Sequence, residues 1–328
     1  MTRNAATRSA RIWVGVRITI AFAALLLFAG LFYVLGGTEA GAGWAVGFSM
    51  LFTLPFALGA IFRFAIDPNG QRKAGIRGYI TALLALAVLA TISALAGEGL
   101  ICIALLVGPW AMSAVIGAAT ISWLHHLFRK RAMLHCSALV MLPFLAFLPG
   151  WSADNPTHHF EVKRSIIIDA PAENIWPHLL TLEELGDDEG VFTIAQNVFR
   201  IPRPRSAVVA GEGIGARRLA QWGDRITFEE HVTDWREDTY LAWRFVFPND
   251  SVARYTDAHI GPDSDYLGIE TGSYTLSPMA DGRTRLTLTT RYRASSPANH
   301  YAAIWGEIML GGIQRNILVI ISDRVGGG

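Results

Sequence analysis

The feature that most constrains this chain is its division into two halves suited to different solvents. Residues 1–157 are dominated by long apolar runs and carry 11 Lys/Arg against 4 Asp/Glu, a net charge of +7. Residues 158–328 carry 17 Lys/Arg against 23 Asp/Glu, a net charge of −6, with the composition of a soluble domain. A single core cannot accommodate both kinds of sequence, and 328 residues is a length that suits about two domains.

A membrane-spanning helix needs about 20 mostly apolar residues. Five segments approach this: 12–35, 43–65, 79–97, 101–124 and 133–149. The first carries Arg17 near its start, where a long side chain reaches the interface. Its apolar stretch is longer than that of a cleaved signal peptide, so it is read as an uncleaved helix. The last is short and contains Pro143. Arg3, Arg8 and Arg11 precede the first segment, Arg63, Arg72, Lys73 and Arg77 lie around the second connection, and Arg129, Lys130 and Arg131 lie in the fourth. The first and third connections, GGTEAGA and GEG, hold no Lys or Arg. The positive-inside rule then places the N-terminus in the cytoplasm. Five crossings put residue 150 onward outside it. The expectation is an integral protein of the plasma (inner) membrane with an extracytoplasmic C-terminal domain.

Apart from Arg17, no ionisable residue is expected near a span centre. His125, His126 and His135 gather near the cytoplasmic end of the fourth segment, either as interfacial side chains or as a metal or proton site. Pro55 and Pro109 are expected to bend their helices. Cys102 and Cys136 fall in apolar runs and read as small buried hydrophobes; no zinc-type spacing occurs, so no metal and no cofactor are expected.

WSADNPTHH, residues 151–159, is a polar linker, and a domain is expected over 160–328. FEVKRSIIIDA reads as a strand, and its run Ile166–Ile168 suits burial on more than one side. In PAENIWPHLLTLEEL, Pro171 suits a first helical turn, Asp169 can cap it, and Glu173 stands at the positive end of the helix dipole. Pro177 makes this helix short or bent. A region of turns runs from GDDEGVF to VVAGEGIG. Then GARRLAQW, RITFEEHVTDW, TYLAWRFVF, GIETGSYTLSPM and TRLTLTTRYRA read as strands, separated by turns at 223–224, 236–238 and 280–282. One long helix, from about 298 to 324, closes the chain. The order predicts an α+β fold: a curved antiparallel sheet whose apolar face is covered by one C-terminal helix. The whole chain is thus an α-helical membrane bundle joined to such a domain.

RSIIIDAPAENIWPHLL, GEGIGARRLAQWGDRITFEEHVTDW, GSYTLSPMADGRTRLTLTTRYR and the final helix together resemble the START-like, or helix-grip, superfamily of polyketide cyclase/dehydrase-type and lipid-transfer proteins. The resemblance covers about residues 160–325. It implies a hydrophobic cavity for lipids, sterols, polyketides or other apolar molecules. The superfamily has no universal catalytic set, so no catalytic residue follows from it.

Strand alternation supplies the candidates for the cavity wall. These are Phe228 and Glu230; Leu241, Trp243 and Phe245; Tyr274 and Leu276; and Leu288. Glu230 falls among apolar neighbours and is either at a strand end, paired with an arginine, or functional. The final helix offers Tyr301, Trp305, Ile308 and Met309 on one stripe, with Gly312 and Asn316 further along. Gly311 and Gly312 in mid-helix admit a close approach of sheet or ligand, or mark a kink. The polar groups near the strands are Glu229, Glu230, His231, Arg244 and Tyr274, but no nucleophile elbow, catalytic triad order, phosphate loop or metal set is present. GEGIG at 211–215 reads as a turn. RIPRPRS at 200–206 is an ordinary loop or touches anionic headgroups. The acidic second half argues against a nucleic-acid partner. The expected partners are a hydrophobic small molecule or lipid, and the membrane. The leading expectation is a membrane-anchored binding protein. The alternatives are a cyclase/dehydratase-like or hydrolytic enzyme, and a non-catalytic membrane sensor or assembly protein.

Overall fold

The structure is a computed structural model, and it describes residues 49–67, 100–127, 156–186, 188–252, 261–296 and 298–327, together with Val16, Leu83, Ala87, Ala90 and Thr91. The chain divides into two units, Met1–Asn155 and Pro156–Gly328.

In the first unit, a wide helical turn at Ser49–Thr53 leads into α1 (Leu54–Ile66), and α2 runs over Leu100–Leu127. Pro55 lies in the first turn of α1, directly after the turn Ser49–Thr53. The two helices touch through small residues: a Cβ on Gly59 would overlap the backbone of Ala114, and one on Gly117 would overlap the carbonyl of Phe56. Such backbone contact gives dispersion energy that larger side chains would prevent. Arg63, expected in a connection, is instead buried in α1, where it donates to Ser122 Oγ (3.0 Å) and to Asp67 (3.3 Å). Among the described residues two helices are long and apolar enough to cross a membrane, Ile103–Leu124 and Asn299–Gly326. The second is the core helix of the other unit. Of the segments 12–35, 79–97 and 133–149 only Val16, Leu83, Ala87, Ala90 and Thr91 are described; the rest, with Arg17, His135 and Cys136, lies outside the described residues. The five-span bundle therefore rests on the sequence alone.

Among the described residues the second unit is one antiparallel sheet, two α-helices and a wide helical turn at Ile194–Val198. Its elements are β1 (Thr157–Ile168), α3 (Ala172–Leu180), β2 (Thr181–Leu182), β3 (Pro204–Ala210), β4 (Arg217–Trp222), β5 (Ile226–Arg236), β6 (Tyr240–Val246), β7 (Leu267–Pro278), β8 (Thr284–Ser295) and α4 (Asn299–Gly326). The order across the sheet is β1-β8-β7-β6-β5-β4-β3-β2. Consecutive strands thus neighbour each other, except that β1 and β2 occupy opposite edges. This forces curvature. A flat sheet of eight strands would be about 34 Å wide. The link from Ile168 to Thr181 contains the nine-residue α3 and reaches roughly 24 Å. The edges must curl toward each other for the link to close. Register shifts at Val232/Asp234 and Ile269/Thr271 add local bends. The concave face then holds the core, which includes Ile175 and Leu179 of α3, Leu241 and Leu286 of the sheet, and Leu318 and Ile321 of α4. Every residue of that core lies between Ile166 and Val325, so residues 156–328 close a core of their own. This is the helix-grip arrangement.

Three local expectations are corrected. The three isoleucines are not buried on both sides: Ile168 is buried but Ile167 is 42% exposed, because β1 is an edge strand with only its concave face covered. Asp169 does not cap α3; Pro171 holds the cap position with no side-chain hydrogen bond. The region of turns contains the strand β3, whose Val208 and Val209 pair with Leu219 and Arg218, and Pro204 starts it at a register shift where no ladder donor is needed.

α4 is one unbroken helix through its glycines. The Arg164 guanidinium of β1 lies over Gly311, and the Tyr292 ring lies over Gly306 with Cζ only 2.6 Å from an ideal Cβ position. Gln314, fully inside, donates to the Val162 carbonyl (3.0 Å) and to Thr290 Oγ1 (2.9 Å), fixing the helix to β1 and β8.

Candidate functional site

The sheet candidates converge on the concave face. Phe228, Glu230, Leu241, Trp243, Tyr274, Leu276 and Leu288 are each at most 7% exposed, and Phe245 is half-buried against them. Aromatic rings form a continuous track across four strands. Trp222 meets Phe228 (5.6 Å), Phe228 meets Phe245 (5.9 Å), Phe245 meets Trp243 (6.0 Å) and Trp243 meets Tyr274 (5.1 Å between centroids). Trp243 can lie flat against β7 because its neighbour there is Gly272; its Nε1 lies 2.7 Å from where a Cβ would stand.

Within this apolar wall sits a buried polar cluster. Arg218 of β4 and Glu230 of β5 are directly opposite in the ladder. Arg218 Nη1 donates to Glu230 Oε2 at 2.5 Å, with side chains only 5% and 7% exposed. Arg218 Nε donates to the carbonyl of Leu180 (3.3 Å), the last residue of α3, where the helix dipole is negative. The Tyr274 hydroxyl accepts from the same guanidinium. Burial pushes the Glu230 carboxyl above its ordinary value, and Arg218 opposes this without cancelling it. Burial also works against the charge of Arg218, but Glu230 and Tyr274 together hold its pKa above the usual arginine value. The Tyr274 phenol is pushed up to about 12, chiefly by burial. Trp243 Nε1 is buried with no hydrogen-bond partner among the described residues. An indole N–H is a donor only, and leaving it unpaired costs free energy.

The helix candidates form a different surface. Tyr301, Trp305, Ile308 and Met309 are all half-buried. Trp305 meets Phe199 edge-on at 6.1 Å. Further along the same stripe, Gly312 abuts Thr193, and Asn316 Oδ1 accepts from Val191 N–H at 2.7 Å. This stripe therefore packs under the segment 190–199. The sheet-facing side of α4 is the one bearing Gly306, Gly311, Gln314, Leu318 and Ile321.

Of the polar groups near the strands, Glu230 and Tyr274 face inward. His231 and Glu229 pair with each other on the convex face, Nε2 to Oε2 at 2.6 Å, and the bond to His231 holds Glu229 below the usual carboxylate range. Arg244 is exposed on that same face. The RIPRPRS arginines are partly committed to the fold: Arg203 donates to the carbonyls of Glu189 (2.8 Å) and Val191 (3.2 Å). The residue that sequence reasoning missed is Arg218. Among the described residues no group of three or more His, Cys, Asp or Glu is placed to hold a metal.

No family model and no curated protein matches the sequence. Among solved structures, the chain is similar to a truncated norcoclaurine synthase from Thalictrum flavum, at 11% identity over 53% of this chain and 97% of that one, with a TM-score of 0.33. It is similar to the Zhui aromatase/cyclase from Streptomyces sp. R1128, at 15% identity over 52% and 94%, with a TM-score of 0.32. A protein of unknown function from Staphylococcus aureus matches at 8% identity over 52% and 98%, with a TM-score of 0.34. None of them lends a residue or a reaction to this chain.

Proposed function

We propose that residues 156–328 bind an amphipathic small molecule or lipid in the interior between sheet and α4, on a chain anchored in the membrane by its N-terminal helices. The observation that carries this reading is the polar cluster Arg218–Glu230–Tyr274 with the unpartnered Trp243 Nε1, set inside an aromatic wall. A purely structural interior gains little from such groups, because a buried ion pair stabilises a fold no better than apolar side chains of the same volume. A ligand with an apolar body and one hydrogen-bond acceptor would satisfy the indole N–H, while the aromatic track takes its body. α4 packs chiefly along β1, and less closely against the turn at 194–198 and β8.

The test is native mass spectrometry of residues 156–328, as purified and after delipidation and exposure to a fluorescent fatty probe. The reading expects a bound apolar molecule or a saturable one-to-one complex, weakened in Trp243→Phe. An empty domain that binds no apolar probe contradicts it. Anchoring is tested by a C-terminal reporter on the full chain, expected to be active only outside the cytoplasm.

A hydrolytic or cyclising enzyme in the same interior is the second reading. It is favoured by Glu230, a carboxyl buried in the aromatic wall beside Tyr274. Loss of a discovered turnover in Glu230→Gln, with binding retained, would establish it.

A further inference from the structure

The convex face of the sheet carries a feature that the interior site does not use. Arg217, His231, Arg244, Thr271, Arg291 and Glu161 follow one another in register across β4, β5, β6, β7, β8 and β1. Neighbouring strands are about 4.8 Å apart, so Arg217, His231 and Arg244 form a tight basic row. At the β1 end the row is neutralised, because Arg291 Nε donates to Glu161 at 2.9 Å. At the β4 end Glu229 bonds His231 and also faces Arg217, offsetting part of the row, while Arg244, exposed, makes no ion pair among the described residues.

Beside this row lie exposed aliphatic side chains. Leu219, two residues from Arg217 on the same face, is 54% exposed. Ile214, at the tip of the β3–β4 turn, is 73% exposed. That tip is rigid: Gly213 and Gly215 adopt φ of 74° and 91°, and the Gly215 N–H donates to the Val232 carbonyl at 3.0 Å. The turn thus holds Ile214 out at the end of the sheet where Arg217 and His231 stand.

We infer that this corner of the sheet, formed by Ile214, Arg217, Leu219 and Arg244, docks on a bilayer surface bearing anionic headgroups. Arginines pair with lipid phosphates while adjacent aliphatic tips enter the acyl boundary. The net charge of residues 158–328 is −6, so attraction to an anionic surface has to come from this local patch and not from the domain as a whole. A nucleic acid would satisfy the arginines but not Ile214 and Leu219.

Residues 156–328 hold their own core and can be tested by vesicle co-sedimentation. Vesicles containing phosphatidylglycerol are compared with vesicles of phosphatidylcholine alone. Binding is expected only to the first, weakening with salt. Arg217→Gln and Arg244→Gln should each lower the affinity about fivefold. The pair Ile214→Ser/Leu219→Ser should lower it further, while Arg315→Gln, an exposed arginine of α4, should leave it unchanged. No vesicle binding, equal binding to both vesicle types, or an Arg315→Gln effect equal to that of Arg217→Gln overturns the inference. Circular dichroism of each variant shows that it is folded. Ligand retention measured on the same variants separates this surface from the interior site, since loss of vesicle binding with ligand retained affects only the surface.

Discussion

Arg218→Met should be among the most damaging single substitutions in the C-terminal unit. The change leaves Glu230 only 6% exposed, deprived of its partner, and leaves the Tyr274 hydroxyl and the Leu180 carbonyl short of a donor. Removing one member of a buried ion pair costs about 3–5 kcal/mol. For a unit of this size that corresponds to a fall in Tm of roughly 10 °C. The triple variant Arg218→Met/Glu230→Met/Tyr274→Phe removes the polar groups together. It leaves only the Leu180 carbonyl wanting, so most of the stability should return, or even exceed the starting value. Thermal melts of residues 156–328 measure both. Ligand retention separates the two roles of the cluster: the triple variant should melt normally and yet lose the ligand. If it melts as low as Arg218→Met and retains ligand, the cluster is structural and the reasoning fails.

Glycine substitutions in α4 should differ in size of effect. Gly306→Ala drives a Cβ into the Tyr292 ring, which is stacked on Phe160 at 5.4 Å, and should cost about 1–3 kcal/mol by thermal melt. Gly311→Ala displaces only the flexible end of Arg164, whose pair with Glu307 is half-exposed, so the gain in helix propensity should leave the melt within about 1 kcal/mol of the original. Arg324 bonds Glu189 (2.6 Å) and holds that carboxyl below its usual value. A lowered folded pKa means that this contribution is present above the unfolded pKa and is lost as pH falls through the folded value. Glu189→Gln should therefore lower stability at neutral and alkaline pH, where the pair is formed, and change little below the folded pKa, so that the acid limb of the stability curve flattens. Replacing Gln314 by Leu removes both of its bonds to β1 and β8 and leaves the Val162 carbonyl unpaired, an expected loss of about 1–3 kcal/mol in chemical denaturation.

The fold was legible because its periodicities are strong. TYLAWRFVF and TRLTLTTRYRA alternate cleanly, and the final helix is long and interrupted only by glycines. β3 was obscured by its own chemistry: RIPRPRS is basic and proline-bearing, and a two-proline run argues against a strand until an edge or a register shift is known. The inward orientation of Glu230 was legible from alternation, but its partner was not assigned. The signal existed. Trp222 pairs with Ile226 around the turn at Gly223, and counting back along that hairpin sets Arg218 opposite Glu230. The glycines of α4 needed the structure, since nothing in the helix itself shows that Arg164 and Tyr292 reach it from β1 and β8. The helix stripe Tyr301–Trp305–Ile308–Met309 was recognised as one face, but helix periodicity does not say whether a sheet or a loop covers it; Phe199 shows that the loop does so at Trp305.

The central claim is that the interior takes a ligand through the Trp243 N–H. Residues 156–328 contain five tryptophans, so the indole N–H region of a proton–nitrogen NMR spectrum is readable, with Trp243 assigned by its loss in Trp243→Phe. On titration with an apolar ligand bearing a carbonyl or hydroxyl group, the Trp243 N–H resonance should move downfield by far more than those of Trp222 and Trp305. An unshifted Trp243 resonance under conditions where the ligand is demonstrably bound would contradict the account.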